Sequence, residues 1–221
     1  MHPIIIYPNN VNSDSKELRD YILNVCSSHK SEKRALAFAF IIADLHNPHI
    51  NKILRDDHYI NSLHIISGKT LTVFFMMDNY VNTTITETTK SNKMLFEFGV
   101  EPINAPPSIM PKDLAKILID GEILVTPAIL FFQVDDFVVK DFYITQLTEN
   151  KIEDGFLEIK NLIQKAVNSL SDVKEENYEN SKELFNLIKI EMESSAFWKK
   201  TKQTYAKFIS IKDFLSPWLG I

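Results

Sequence analysis

The sequence predicts an α/β protein: a central mixed sheet flanked by helices, with extra helices at the N- and C-terminal ends. Three observations predict it. Short β-branched and aromatic runs, such as Leu71-Thr72-Val73-Phe74-Phe75-Met76, alternate with segments whose apolar residues recur at helical spacing. Two further runs, Ala128 to Val134 and Phe137 to Ile144, are separated only by Asp135-Asp136, which marks a hairpin. A 45% hydrophobic share in 221 residues supplies enough apolar surface for a sizeable core.

Along the chain, Ile4 to Tyr7 reads as a short buried strand closed by Pro8-Asn9-Asn10. Asp14 and Glu17 form a capping box, and Leu18, Tyr21, Ile22, Val25 and Cys26 then mark one face of a helix. Ser31 is expected to cap a second helix through Ala35 to Ala43, apolar all round and therefore enclosed. Asn47-Pro48 has the order of an N-cap and N1 pair, with Ile50, Ile53 and Leu54 facing inward. Ser67-Gly68-Lys69 is a turn before the Leu71 to Met76 strand. Asp78 to Asn92 is polar and Thr-rich, the composition of a long loop.

Met94 to Phe98 reads as a strand, and Pro102 to Pro111 as a proline-punctuated connection. A helix from Pro111 to Asp120 ends at Gly121, and after the hairpin a longer one carries Ile152, Phe156, Ile159, Ile163, Ala166 and Leu170 on one face. Ser171 to Asn180 turns polar and acidic. This divides the chain into an α/β domain over 1–170 and a helical extension over 171–221, in which Asn180 and Glu183 cap a helix bearing Leu184, Phe185, Ile188 and Met192.

The net charge of -5 and the lack of a strong Lys/Arg cluster argue against nucleic acid as the partner. Lys199, Lys200, Lys202 and Lys207 are interleaved with aromatics but offset by Glu191 and Glu193. Lys outnumbers Arg by 21 to 3, the bias of an AT-rich microbial genome. No apolar run approaches the roughly 18 residues of a membrane span, and no signal peptide is recognisable, so a cytoplasmic protein is expected. One cysteine, Cys26, allows no internal disulfide and no CxxC pair.

The order helix, Leu71 to Met76, connection, short helix, Thr126-Pro127, strand, tight turn, strand, long helix resembles the thioredoxin-like fold over roughly residues 63 to 170. The resemblance implies a cis-proline step at Thr126-Pro127, a hairpin beyond it and a terminal helix packed across the sheet. Where that family's redox members carry CxxC after the central strand, this chain reads Met76-Met77-Asp78-Asn79-Tyr80-Val81. Thiol exchange needs a thiolate, so a redox-inactive relative is implied, with the groove beside Pro127 left to pair with an extended peptide.

Other chemistry is weaker. His46, His49, His58 and His64 lie within nineteen positions beside Asp44, Asp56 and Asp57. They are the basis for a metal-dependent hydrolase, but their spacing does not aim them at one ion. Ser67-Gly68-Lys69-Thr70 has phosphate-loop letters, yet Leu63 replaces the required glycine and a strand follows. Asp135-Asp136 is turn chemistry. A glutathione-transferase-like enzyme would depend on Tyr80.

The expectation is a redox-inactive interaction subunit of a larger complex, with a protein partner and no cofactor, catalytic or metal residue assigned. Its docking residues are Thr126, Pro127, Asp78, Asn79 and Tyr80, with Phe214 and Trp218 of an apolar tail that either folds back over its own domain or anchors in a partner's groove.

Overall fold

The computed structural model describes residues 1–6, 15–43, 52–78, 103–105, 110–121, 126–147 and 152–194. Its elements, in chain order, are β1 (His2–Ile6), α1 (Ser15–Ser28), β2 (Phe38–Ile42), α2 (Asp57–Ser67), β3 (Thr72–Asp78) and β4 (Ile103–Ala105). They continue with α3 (Pro111–Ile119), β5 (Ala128–Asp135), β6 (Val138–Gln146), α4 (Ile152–Ser169) and α5 (181–194). The strands form one mixed sheet in the order β4-β1-β3-β2-β5-β6. β1 runs parallel to β3 and β4, and β2 parallel to β3. β5 is antiparallel to both β2 and β6.

β2, β3 and β5 are buried on both faces along most of their length, which is why their sequences are apolar without polar alternation. Phe38 and Phe40 of β2, Phe74 of β3 and Leu130 and Phe132 of β5 meet Leu18, Ile22 and Cys26 of α1 and Leu114 and Leu118 of α3. On the other face, Ala39 and Ile41, Val73 and Phe75, and Ile129 and Phe131 meet Leu63 of α2, Ile163 of α4 and Phe185 of α5. Two apolar layers therefore sandwich the sheet.

Several expectations change here. Ala35 to Ala43 is not a helix: it contributes β2, whose neighbours on both sides are strands. Leu71 to Met76 does form most of β3, and the strand that the hairpin pairs with is β2, through Phe40 and Leu130. Ile103–Ala105, within the proline-punctuated connection, is a strand beside β1. On α1, Leu23 is buried and Tyr21 exposed, so the buried stripe is rotated from the expected one. α2 is capped at its start by Asp56, whose Oδ1 accepts the Tyr59 N–H at 2.9 Å, and at its end by Gly68 with φ of 50°. α3 begins at Pro111 as expected, but its left-handed cap is Asp120 rather than Gly121.

Asn180 and Glu183 cap α5 reciprocally: Glu183 N donates to Asn180 Oδ1 at 3.2 Å, and Asn180 Nδ2 to Glu183 Oε2 at 2.8 Å. α5 buries Leu184, Phe185, Ile188 and Met192 in the same layer as α2 and α4, and the Leu36 N–H donates to Tyr178 O at 3.0 Å. Met94 to Phe98 lies outside the described residues.

The hairpin turns at Asp136-Phe137, one position later than the sequence reading, since Asp135 pairs with Val138. Both turn residues are left-handed, with φ of 50° and 58°. That is the two-residue geometry that favours Asn-Gly or Asp-Gly, and a phenylalanine at its second position is unusual. Phe137→Gly is therefore expected to raise stability by about 1 kcal/mol, the scale of the left-handed penalty for a residue with a Cβ. Urea denaturation checks it, and an unchanged or lowered midpoint would mean that the half-exposed Phe137 ring contributes more packing than its backbone costs.

Candidate functional site

The carboxyl ends of the parallel strands are where open α/β sheets place their ligands. β1 ends at Ile6, paired with Asp78 at the end of β3, and β2 ends at Ile42, paired with Ala128 at the start of β5. The reversal of β5 thus brings Thr126-Pro127 to the end of the sheet that Asp78 occupies. β2 alone separates β3 from β5, so these backbones are set apart by two strand spacings, about 10 Å across the sheet.

The Thr126-Pro127 peptide is cis. Pro127 is buried and its carbonyl accepts the Leu147 N–H at 2.9 Å, which ties it to the end of β6. Thr126 is exposed, and among the described residues nothing bonds to its backbone. Of the expected docking residues, the structure therefore brings Thr126, Pro127 and Asp78 to one end. Asn79, Tyr80, Phe214 and Trp218 lie outside the described residues.

β6 is an edge strand among the described residues, and it is guarded. The Phe142 N–H donates to Asp141 Oδ1 at 2.8 Å, while Asp141 Oδ2 lies 3.6 Å from Lys189 Nζ on α5. A charged side chain folded over its own edge blocks pairing at that point. The Thr126 end carries no such guard among the described residues.

Of the four histidines in the metal reading, the two described ones, His58 and His64, do not gather with other ligands at one point. His58 is exposed on α2, and His64, almost two turns on, lies with its Nδ1 3.1 Å from the Met1 amino nitrogen. His46 and His49 lie outside the described residues. Among the described residues, no group of three His, Cys, Asp or Glu could hold a metal ion. Cys26 is a free, buried thiol whose pKa burial pushes up, which removes it from nucleophilic chemistry.

Sequence reasoning passed over the amino end of the sheet, where His2 and His29 meet Arg34. Burial, with Arg34 adding repulsion, lowers the pKa of His29 to about 4; burial likewise lowers that of His2 to about 3. His64 is lowered to about 4, again chiefly by burial. The one available signal was a histidine directly preceding an apolar strand at His2-Pro3-Ile4.

Among the described residues no helix is long and apolar enough to cross a membrane. No protein-family model, no curated protein and no solved structure matches the chain.

Proposed function

We propose that this chain is a redox-inactive, thioredoxin-like interaction module, a subunit of a larger assembly, that receives an extended segment of a protein partner at Thr126. The carrying observation is the exposed Thr126, whose backbone is unpaired among the described residues, at the carboxyl end of the parallel strands. A peptide entering there meets an N–H and a C=O that no described residue pairs, beside the ends of β2 and β5, the requirement for strand addition.

The topology supports the resemblance with one change of residues. The central strand that leads to this end and adjoins the hairpin is β2, and α4 packs across the sheet. By sequence, β2 is followed by Ala43-Asp44-Leu45-His46-Asn47-Pro48-His49, which lacks cysteine just as Met76 to Val81 does. The redox-inactive reading is therefore the same whichever strand is taken as central.

Thr126→Arg fills the space beside the free backbone without touching the core. It is expected to weaken binding of the partner that co-purifies with the unmodified chain, while the unfolding midpoint stays within the ~0.5 kcal/mol usual for surface changes. Undiminished binding would remove this end as the docking site.

A further inference from the structure

Of the seven large apolar side chains exposed among the described residues, three fall within six positions of the β5–β6 hairpin: Phe137, Val138 and Phe142, at 55%, 43% and 39%. Single exposed apolar residues need no explanation, but a group of them on an edge strand does. Ile144, on the same face as Phe142, is only partly covered by the layer that holds α1 and α3.

Carboxylates border this surface. Asp135 and Asp136 are exposed at the turn, and Asp141 faces Lys189 of α5 at 3.6 Å. Residues 135–146 and 171–194, which supply β6 and α5, together hold ten acidic residues against four lysines.

Residues 195–221 lie outside the described residues, and their sequence has the complementary chemistry. Lys199, Lys200, Lys202, Lys207 and Lys212 stand against one acid, Asp213, so the side chains of this segment carry +4 in a chain whose net charge is -5. Both tryptophans, Trp198 and Trp218, belong to it, together with Phe197, Tyr205, Phe208 and Phe214. The distance to be covered is short. α5 extends five residues beyond Lys189, about 8 Å along the helix axis, and Trp198 follows within about 14 Å of extended chain. A tether of that length presents the segment to the hairpin at an effective concentration on the order of millimolar.

We propose that residues 195–221 dock on the hairpin of the same chain, with their aromatic side chains against Val138 and Phe142 and their lysines beside Asp135, Asp136 and Asp141. Apolar burial supplies the affinity, and opposite charge sets the orientation. The contact extends the protection of the β6 edge that Asp141 begins at the Phe142 N–H. It does not rest on docking at Thr126, which lies at the other end of β5.

Because both tryptophans lie in 195–221, the intrinsic tryptophan fluorescence of the full chain reports on this segment alone. Emission at shorter wavelength in the native chain than in urea, with weaker quenching by acrylamide, is expected. Val138→Lys combined with Phe142→Lys removes the apolar contact and sets lysine against lysine. The double variant should shift the emission towards the urea value while its far-UV circular dichroism is unchanged. Carbodiimide coupling of the dilute unmodified chain, mapped by mass spectrometry, locates the contact. Amide links from Lys199, Lys200, Lys202 or Lys207 to Asp135, Asp136 or Asp141 within monomers are expected. Native emission equal to that in urea means an undocked segment, and native emission retained by the double variant means burial elsewhere; either overturns the proposal. Links to these carboxylates found only in dimers assign the segment to a second copy and overturn it likewise. If the double variant does not fold, the coupling map decides, and a monomer without such links overturns the proposal.

Discussion

Phe132→Ala is expected to lower the unfolding free energy by about 3–5 kcal/mol, while Phe142→Ala, its cross-strand neighbour, costs about 1 kcal/mol or less. The two side chains lie on the same face of adjacent strands, so chemistry and sheet position are matched and only enclosure differs. Phe132 is 1% exposed and stacks on Phe38 at a centroid distance of 5.7 Å, with Phe74 at 6.3 Å. Its removal leaves a cavity between β2, β3 and β5, whose backbones are held by the ladder and cannot close over it. Phe142 is 39% exposed on the edge strand, where water fills the gap. Urea denaturation of both variants checks the contrast, and equal losses would contradict the enclosed position of β5.

Acid is the second large lever, and its sign follows from the amino-end cluster. Burial depresses the pKa of His29 from its ordinary 6.5 to about 4, and that of His2 to about 3. For a base with a depressed folded pKa, the unfolded chain binds more protons at intermediate pH, so stability rises with pH. The His29 and His2 contributions are fully present above about pH 7 and are lost as pH falls from 6.5 towards 4 and 3. The Met1 amino group, lowered by burial from 8.0 to about 5, and His64, lowered to about 4, act in the same direction, the amino group already from pH 8. His29 alone should cost about 2 kcal/mol by pH 5, and His2 moves the balance the same way. Thermal unfolding between pH 8 and 5 checks this. His29→Gln should flatten the slope, whereas an unchanged slope would assign the acid sensitivity to other groups.

Much of the fold was legible because local chemistry and tertiary position agree. Pro111 at the first turn of α3, Asn180 and Glu183 around the start of α5, and the apolar stripe of α4 each reflect a cap or a period that tertiary packing does not alter. The hairpin was legible for the same reason, although its turn slipped by one residue because Phe137 adopts a conformation that glycine normally supplies.

The main misreading was β2. Ala35 to Ala43 contains no polar residue, so polarity has no period to show, and its alanines favour a helix. A period of two was nevertheless present in size: Ala37 and Ala39 face one layer, Phe38 and Phe40 the other. Reading that alternation would have put the strand beside the hairpin and moved the central strand from Leu71–Met76 to Phe38–Ile42. The stretch following the central strand would then have been Asp44 to His49, with two of the histidines considered for metal, rather than Met77 to Val81.

The candidate site was legible in part. Thr126-Pro127 could be found because proline before an apolar strand is a local signal. The amino-end cluster could not, because His2, His29, Arg34 and Thr72 come from four separate segments whose convergence depends on the sheet order.

The docking claim is tested most directly by site-specific photocrosslinking. A photoreactive residue is placed in turn at Thr126, at Phe142 on the guarded β6 edge, and at Lys69 near the amino ends of the strands. Crosslinking to one partner from Thr126, mapped to an extended segment of that partner and absent from the other two positions, is the predicted result. Capture of the same partner from Phe142 or Lys69, with none from Thr126, would contradict docking at the carboxyl end of the sheet.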